Sequence, residues 1–123
     1  MRLLLDTQIL VWMVTGDRRL KQSWRDAMAH PEAELYVSTV IAFEFTDLLL
    51  RNRLPLVENI AELTSRFDLV VEALPADSWT KLAQLPAIHR DPVDRMLVAH
   101  ALVGERILIT ADKNIRRYPV ECI

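Results

Sequence analysis

Hydrophobic and polar positions fall along this chain in alternating blocks. RLLL (2–5) is a short apolar run stopped by Asp6, the pattern of a strand buried on both faces. TQILVWMV then continues as a helix that Gly16-Asp17 breaks. Residues 18–29 are mostly polar but carry Leu20, Trp24 and Met28 at i, i+4 and i+8, which predicts an amphipathic helix ended by His30-Pro31. LYVS (35–38) reads as a second strand, and Ser38 or Thr39 can cap the apolar helix VIAFEFTDLLLRN. Pro55 is a suitable first residue for a helix running to about Phe67, and LVVEAL (69–74) is the third strand. Pro75 precedes a helix over 77–85, and Asp91-Pro92 opens another that runs to Val103. RILIT (106–110) is the fourth strand, ADKNIRRY a loop or short helix, and VECI a possible final edge strand.

Strands thus alternate with helices, and there are only two glycines and no tight-hairpin signal. That order predicts an α/β fold, a parallel sheet with helices on both faces. At 123 residues, 51% hydrophobic and 26% charged, the chain reads as one globular domain spanning 1–123. There is no repeat, linker or low-complexity segment. The formal charge of −2 excludes an overall basic field, so any nucleic-acid contact must use a local patch. Cys122 is the sole cysteine, which excludes an internal disulfide and a cysteine-based zinc cluster and points to a reducing, cytoplasmic setting. Asp6 interrupts the apolar N-terminus, no small-residue cleavage pattern follows it, and no stretch approaches the roughly 18 apolar residues of a membrane span. A soluble protein is expected. Twelve of the fifteen basic residues are arginine. Arginine suits phosphates, but codon usage in a G+C-rich genome gives the same excess.

Ligands of open parallel sheets bind beyond the carboxyl ends of the strands. Asp6 ends the first strand and Asp112 follows the fourth, although aspartate there is also a common cap or turn former. Glu44 sits between Phe43 and Phe45 in an apolar helix, on one stripe with Val40, Asp47 and Arg51. That stripe is either a solvated face with an Asp47–Arg51 pair or a face turned toward the strand ends. HRDPVDR (89–95) is the sharpest case. Asp91 fits the N-cap and Pro92 the first helical position, while Asp94 shares its side with Leu97, Val98 and Ala101. A bare buried carboxylate is costly, and the helix dipole offsets only about 0.3–1 kcal/mol. A cation, or water in a cleft, is the natural compensation. Asp6, Glu44, Asp94 and Asp112 can then converge, and hard oxygen ligands select Mg²⁺ or Mn²⁺ over zinc. Metal-assisted hydrolysis of a nucleic-acid backbone follows from such a cluster.

LLLDTQILVW, STVIAFEF, HRDPVDRMLVAHAL and LITADKNIRRYPV occur in the order found in one family. Through them the whole chain resembles the PIN-domain ribonucleases, specifically the VapC-type toxins of toxin–antitoxin pairs. The resemblance implies a PIN-like three-layer α/β/α sandwich around a mostly parallel sheet of four to five strands. It implies a divalent-metal-dependent endoribonuclease in which Asp6, Glu44, Asp94 and Asp112 hold Mg²⁺ (or Mn²⁺), with Asp6 and Asp94 the most direct ligands. Thr110 takes the hydroxyl position before the last acid, and Asp91 is a cap first and a site residue second. An RNA substrate, a homodimer and a VapB-type antitoxin that blocks the cleft are implied too. Gln8 stands where a histidine is common in this branch, and Phe43 replaces a frequent tryptophan, which leaves substrate choice open.

Arg90, Arg95, Lys113, Arg116 and Arg117 are candidate phosphate contacts, each with a solvated-surface alternative. His100 is expected as a hydrogen-bonded core histidine and His89 as an exposed residue ahead of the cap, neither of them catalytic. Trp12, Trp24 and Trp79 can stack on bases, but their apolar neighbours favour packing in the core or a dimer interface. Two rival readings stand: a PIN fold retained for partner binding without catalysis, and a receiver-like Mg²⁺-binding phosphoacceptor domain. The latter needs an acceptor aspartate on a middle strand, where LVVEALPAD offers only Glu72 and Asp77.

Overall fold

A computed structural model describes all 123 residues. Four strands, β1 (Arg2–Leu5), β2 (Glu34–Ser38), β3 (Leu69–Glu72) and β4 (Ile107–Ile109), form one sheet in the order β3-β2-β1-β4. Every pairing in it is parallel. Leu3, Leu4 and Leu5 are consecutive and all fully buried. Since successive strand residues point to opposite faces, the sheet must be covered on both sides, as an uninterrupted apolar run requires. The VECI segment adds a single parallel bridge, Cys122 to Leu108, on the open side of β4.

Six helices supply the cover: α1 (Thr7–Thr15), α2 (Gln22–Ala29), α3 (Thr39–Leu50), α4 (Ile60–Phe67), α5 (Ser78–Gln84) and α6 (Pro92–Gly104). A 3-10 turn, Ile115–Arg117, follows β4. Gly16 ends α1 in the left-handed region at φ 66°, where its lack of a Cβ removes the usual penalty. Pro55 does not start a helix. α4 begins at Ile60, behind a reciprocal capping box in which Asn59 accepts from the Glu62 N–H and Glu62 accepts from the Asn59 N–H. Two satisfied end groups outweigh the fixed φ that proline offers.

The core unites β1, α1, α3 and α6. Trp12 and Trp24 lie in it, 8% and 3% exposed, with ring centroids 6.4 Å apart. Trp79 on α5 is 63% exposed, so the core-packing expectation fails for that residue. His100 on α6 is fully buried, with Ser38 Oγ 2.8 Å from Nδ1 and Glu72 Oε1 2.8 Å from Nε2. Glu72 in turn accepts from Arg106 at 2.6 Å, so one polar chain ties α6 to β2 and β3. Burial pulls the His100 pKa down despite the Glu72 carboxylate, which keeps the ring neutral.

Candidate functional site

Chain order in the sheet reverses between β1 and β4: β2 and β3 lie to one side of β1, and β4 returns to the other. Loops leaving the carboxyl ends of two such strands diverge and open a crevice. Here that crevice is a cleft of about 410 Å³ lined by Asp6, Thr7, Gln8, Glu44, Leu48, Asp91, Asp94, Ala111 and Asp112. All four acids singled out in the sequence are among them.

Each acid arrives by a different local device. Asp6 caps α1, accepting the Ile9 N–H at 2.9 Å through Oδ1, while its Oδ2 takes the Thr110 hydroxyl proton. Thr110 is fully buried, and its Oγ1 also accepts the Asp112 N–H at 3.0 Å. One hydroxyl therefore links the loops after β1 and β4. Glu44 accepts the Thr7 hydroxyl at 2.5 Å, whereas Asp47 and Arg51 pair at 3.0 Å on the solvent side. Both readings of that helical stripe thus hold, for different residues. Asp91 is the α6 N-cap, accepting from Val93 at 2.8 Å and from Asp94 at 3.4 Å. Asp112 Oδ1 receives the N–H groups of Asn114 (2.7 Å) and Ile115 (3.1 Å), which nucleate the 3-10 turn.

Electrostatics separate the carboxylates. Burial raises the Asp6 pKa against the bonds from Thr110 and Ile9. Burial, then the charges of Asp91, Asp112 and Glu44, push Asp94 up to about 7, with His89 opposing. Asp112 is held below its ordinary value, because the His89 bond and the Asn114 and Ile115 N–H groups outweigh its desolvation. Crowded, desolvated carboxylates of this kind call for positive charge. The donor set fits a hard divalent cation: five carboxylates line one cleft, Asp91 among them as the α6 N-cap, with no cysteine.

One expectation fails. His89 is no exposed bystander: its side chain is 14% accessible, and Nε2 lies 3.0 Å from Asp112 Oδ2 and 3.1 Å from Asp94 Oδ2. These three residues offer ligand atoms within 4.8 Å of one another. Burial lowers the His89 pKa, but the Asp112 bond and the surrounding carboxylates outweigh it and leave it raised. Arg95 and Arg116 each spend donors on oxygens of the protein. Arg95 donates to Pro86 O at 2.9 Å and the Tyr118 hydroxyl at 3.2 Å, and Arg116 to Thr110 O at 2.8 Å and to Ile123 O. Their forks tie loops together. Arg90, Lys113 and Arg117 remain exposed.

The PIN domain family model matches residues 3–121. The chain belongs to the PIN domain family. No curated protein sequence matches it, but solved structures do. The chain is similar to VapBC2 from Rickettsia felis, solved bound to a DNA fragment from its promoter, at 15% identity and TM-score 0.74, covering 100% of this chain and 98% of that one. VapBC-1 from nontypeable Haemophilus influenzae gives 15% identity and TM-score 0.67 over 100% and 97%. The sarcin-ricin loop cleaving toxin VapC20 of Mycobacterium tuberculosis gives 20% identity and 0.63 over 93% and 92%. At such identities the likeness is one of fold. As a PIN domain, the chain has the all-parallel sheet and helical cover anticipated for it. The receiver-like alternative falls away, since β3 lies at the far edge of the sheet and Glu72 is engaged by His100 and Arg106.

Proposed function

We propose that this PIN domain is the toxin of a toxin–antitoxin pair and acts as a divalent-metal-dependent endoribonuclease. One observation carries the proposal: four carboxylates from distant parts of the chain converge on one cleft at the β1/β4 crevice, one of them pushed up to about 7. Asp6, Glu44, Asp94 and Asp112 would hold Mg²⁺ or Mn²⁺, with Asp6 and Asp94 the most direct ligands. Bound there, the cation supplies an acidified water and neutralises charge building on the phosphate. The chain's own residues do the rest. Thr110 orients Asp6, Thr7 orients Glu44, and Asp91 keeps the start of α6 in place under Asp94.

A nucleic-acid strand also needs cations beside the acids. Next to the cleft, sharing Ala111 with it, lies a second hollow lined by Trp12, Arg19, Lys21, Trp24, Lys113 and Arg116. Lys21 rests over the Trp24 ring at 4.9 Å, and Arg19, paired with Asp17 at 2.8 Å, rests over the Trp12 ring at 5.2 Å. This shelf is where the RNA backbone would run. The fold likeness to VapBC complexes supports a VapB-type antitoxin that occludes the cleft. A second copy would cover exposed apolar residues such as Phe43 and Leu50 on α3 and Trp79. No helix is long and apolar enough to cross a membrane.

Single-turnover incubation with an RNA pool tests the reading, with Mg²⁺, with Mn²⁺ and with EDTA. Metal-dependent cleavage at internal sites is expected. Cleavage that survives EDTA, or none with either metal, would overturn it.

A further inference from the structure

Beside the cleft, behind two of its acids, lies one group that the acidic quartet leaves unexplained. His89 Nε2 lies 3.0 and 3.1 Å from single oxygens of Asp112 and Asp94. Those separations are ambiguous by themselves. Two ligands at adjacent corners of an octahedron with metal–ligand distances of about 2.1 Å stand about 3 Å apart, and so do a hydrogen-bond donor and its acceptor.

The other side of the ring decides between them. Nδ1 accepts the backbone N–H of Asp91 at 3.0 Å. A nitrogen that accepts this bond carries a lone pair, so the proton of neutral His89 is on Nε2. A ligating histidine has the reverse arrangement, with the metal on one nitrogen and the other donating its N–H outward. To ligate through Nε2, His89 would have to move its proton to Nδ1, directly against the Asp91 N–H. That N–H belongs to the α6 N-cap, whose side chain and carbonyl are both engaged by the first turn of the helix. Nor is the His89 backbone free. Its N–H donates to the Tyr118 hydroxyl at 2.8 Å, and Arg95 holds that hydroxyl at 3.2 Å.

We propose that His89 is a positioning residue and not a metal ligand. Its Nε2–H donates to Asp112 and lies 3.1 Å from Asp94 Oδ2, so its positive end offsets the repulsion between two carboxylates that would hold the cation. His89 is the sole side-chain donor within reach of either, since the other partners of Asp112 are backbone N–H groups. Tyr118 and Arg95 brace the turn that presents it. The proposal rests on the reading that Asp94 and Asp112 bind a divalent cation.

Mn²⁺ binding to the intact protein tests it without reference to cleavage. In pulsed EPR of the Mn²⁺-loaded wild type, no directly bonded imidazole ¹⁴N is expected. Removing such a supporting partner weakens metal affinity about 10- to 100-fold, so His89→Ala should raise the Mn²⁺ Kd by that factor. His89→Gln, whose side-chain amide can still donate, should recover most of the loss. A strong imidazole ¹⁴N coupling, or an unchanged Kd in a folded His89→Ala, overturns the positioning role while leaving the metal site standing. Wild type that binds no Mn²⁺ overturns the metal reading, and this inference with it. Should His89→Ala not fold, the wild-type spectrum and the His89→Gln affinity still decide.

Discussion

Asp94 concentrates the chemistry at the scale of one residue. Its carboxyl moves from an ordinary 3.8 to about 7, with burial the first cause. Between pH about 4 and 7 the folded protein therefore holds a proton that the unfolded chain has lost. Stability falls as pH rises through that window, by on the order of 4 kcal/mol if nothing relaxes. Asp94→Asn cannot ionise. In EDTA its melting temperature should exceed that of wild type at pH 8, and the two should converge near pH 4. Divalent cations should raise the melting temperature of wild type far more than that of the variant, and RNA cleavage by the variant should be lost. Thermal melts across pH, with and without Mn²⁺, check the first two expectations, and full cleavage by Asp94→Asn in Mg²⁺ would refute the third. The sequence made Asp94 conspicuous because helical periodicity alone turns it toward apolar neighbours. His89 gave no such signal. Its meaning comes from Asp112, 23 residues further on, and from which ring nitrogen faces the cap.

Among the elements, the strands were the most legible. Short apolar runs ending in a polar residue leave little choice, and β1 has the expected limits. Helix starts are legible at the caps Ser38 and Asp91, whereas the expected start at Pro55 gives way to one at Ile60, behind the Asn59–Glu62 capping box. Side-chain ties between elements were largely hidden. The carbonyl groups that Arg95 and Arg116 reach are invisible in one dimension. The His100 network is a tie of the same kind, and it makes a prediction about elements. Glu72→Ala would strand the buried His100 Nε2–H and unpair Arg106. An unsatisfied buried group costs about 1–3 kcal/mol. The urea midpoint should fall by a corresponding amount with an unchanged slope, while Mn²⁺ affinity at the far end of α6 stays as it was.

Over the whole molecule, charge distribution matters more than its sum. A net charge of −2 conceals an acidic cleft and a basic shelf that share Ala111. Replacing Lys21 and Lys113 together by Gln should weaken binding of single-stranded RNA to the Asp94→Asn protein. The slope of log affinity against log salt should become shallower by about 0.7 for each phosphate that is no longer neutralised. Fluorescence anisotropy at several salt concentrations would show it, and an unchanged slope would move the RNA path elsewhere.

The Thr110 bond to Asp6 joins residues 104 positions apart. β1 needs β4 to cover one of its edges and Thr110 to orient its aspartate, although nearly the whole chain separates them. Such a contact is closed only after the loop-closure cost of the intervening chain has been met, so the cleft is assembled by the finished sheet and not by any one of its strands.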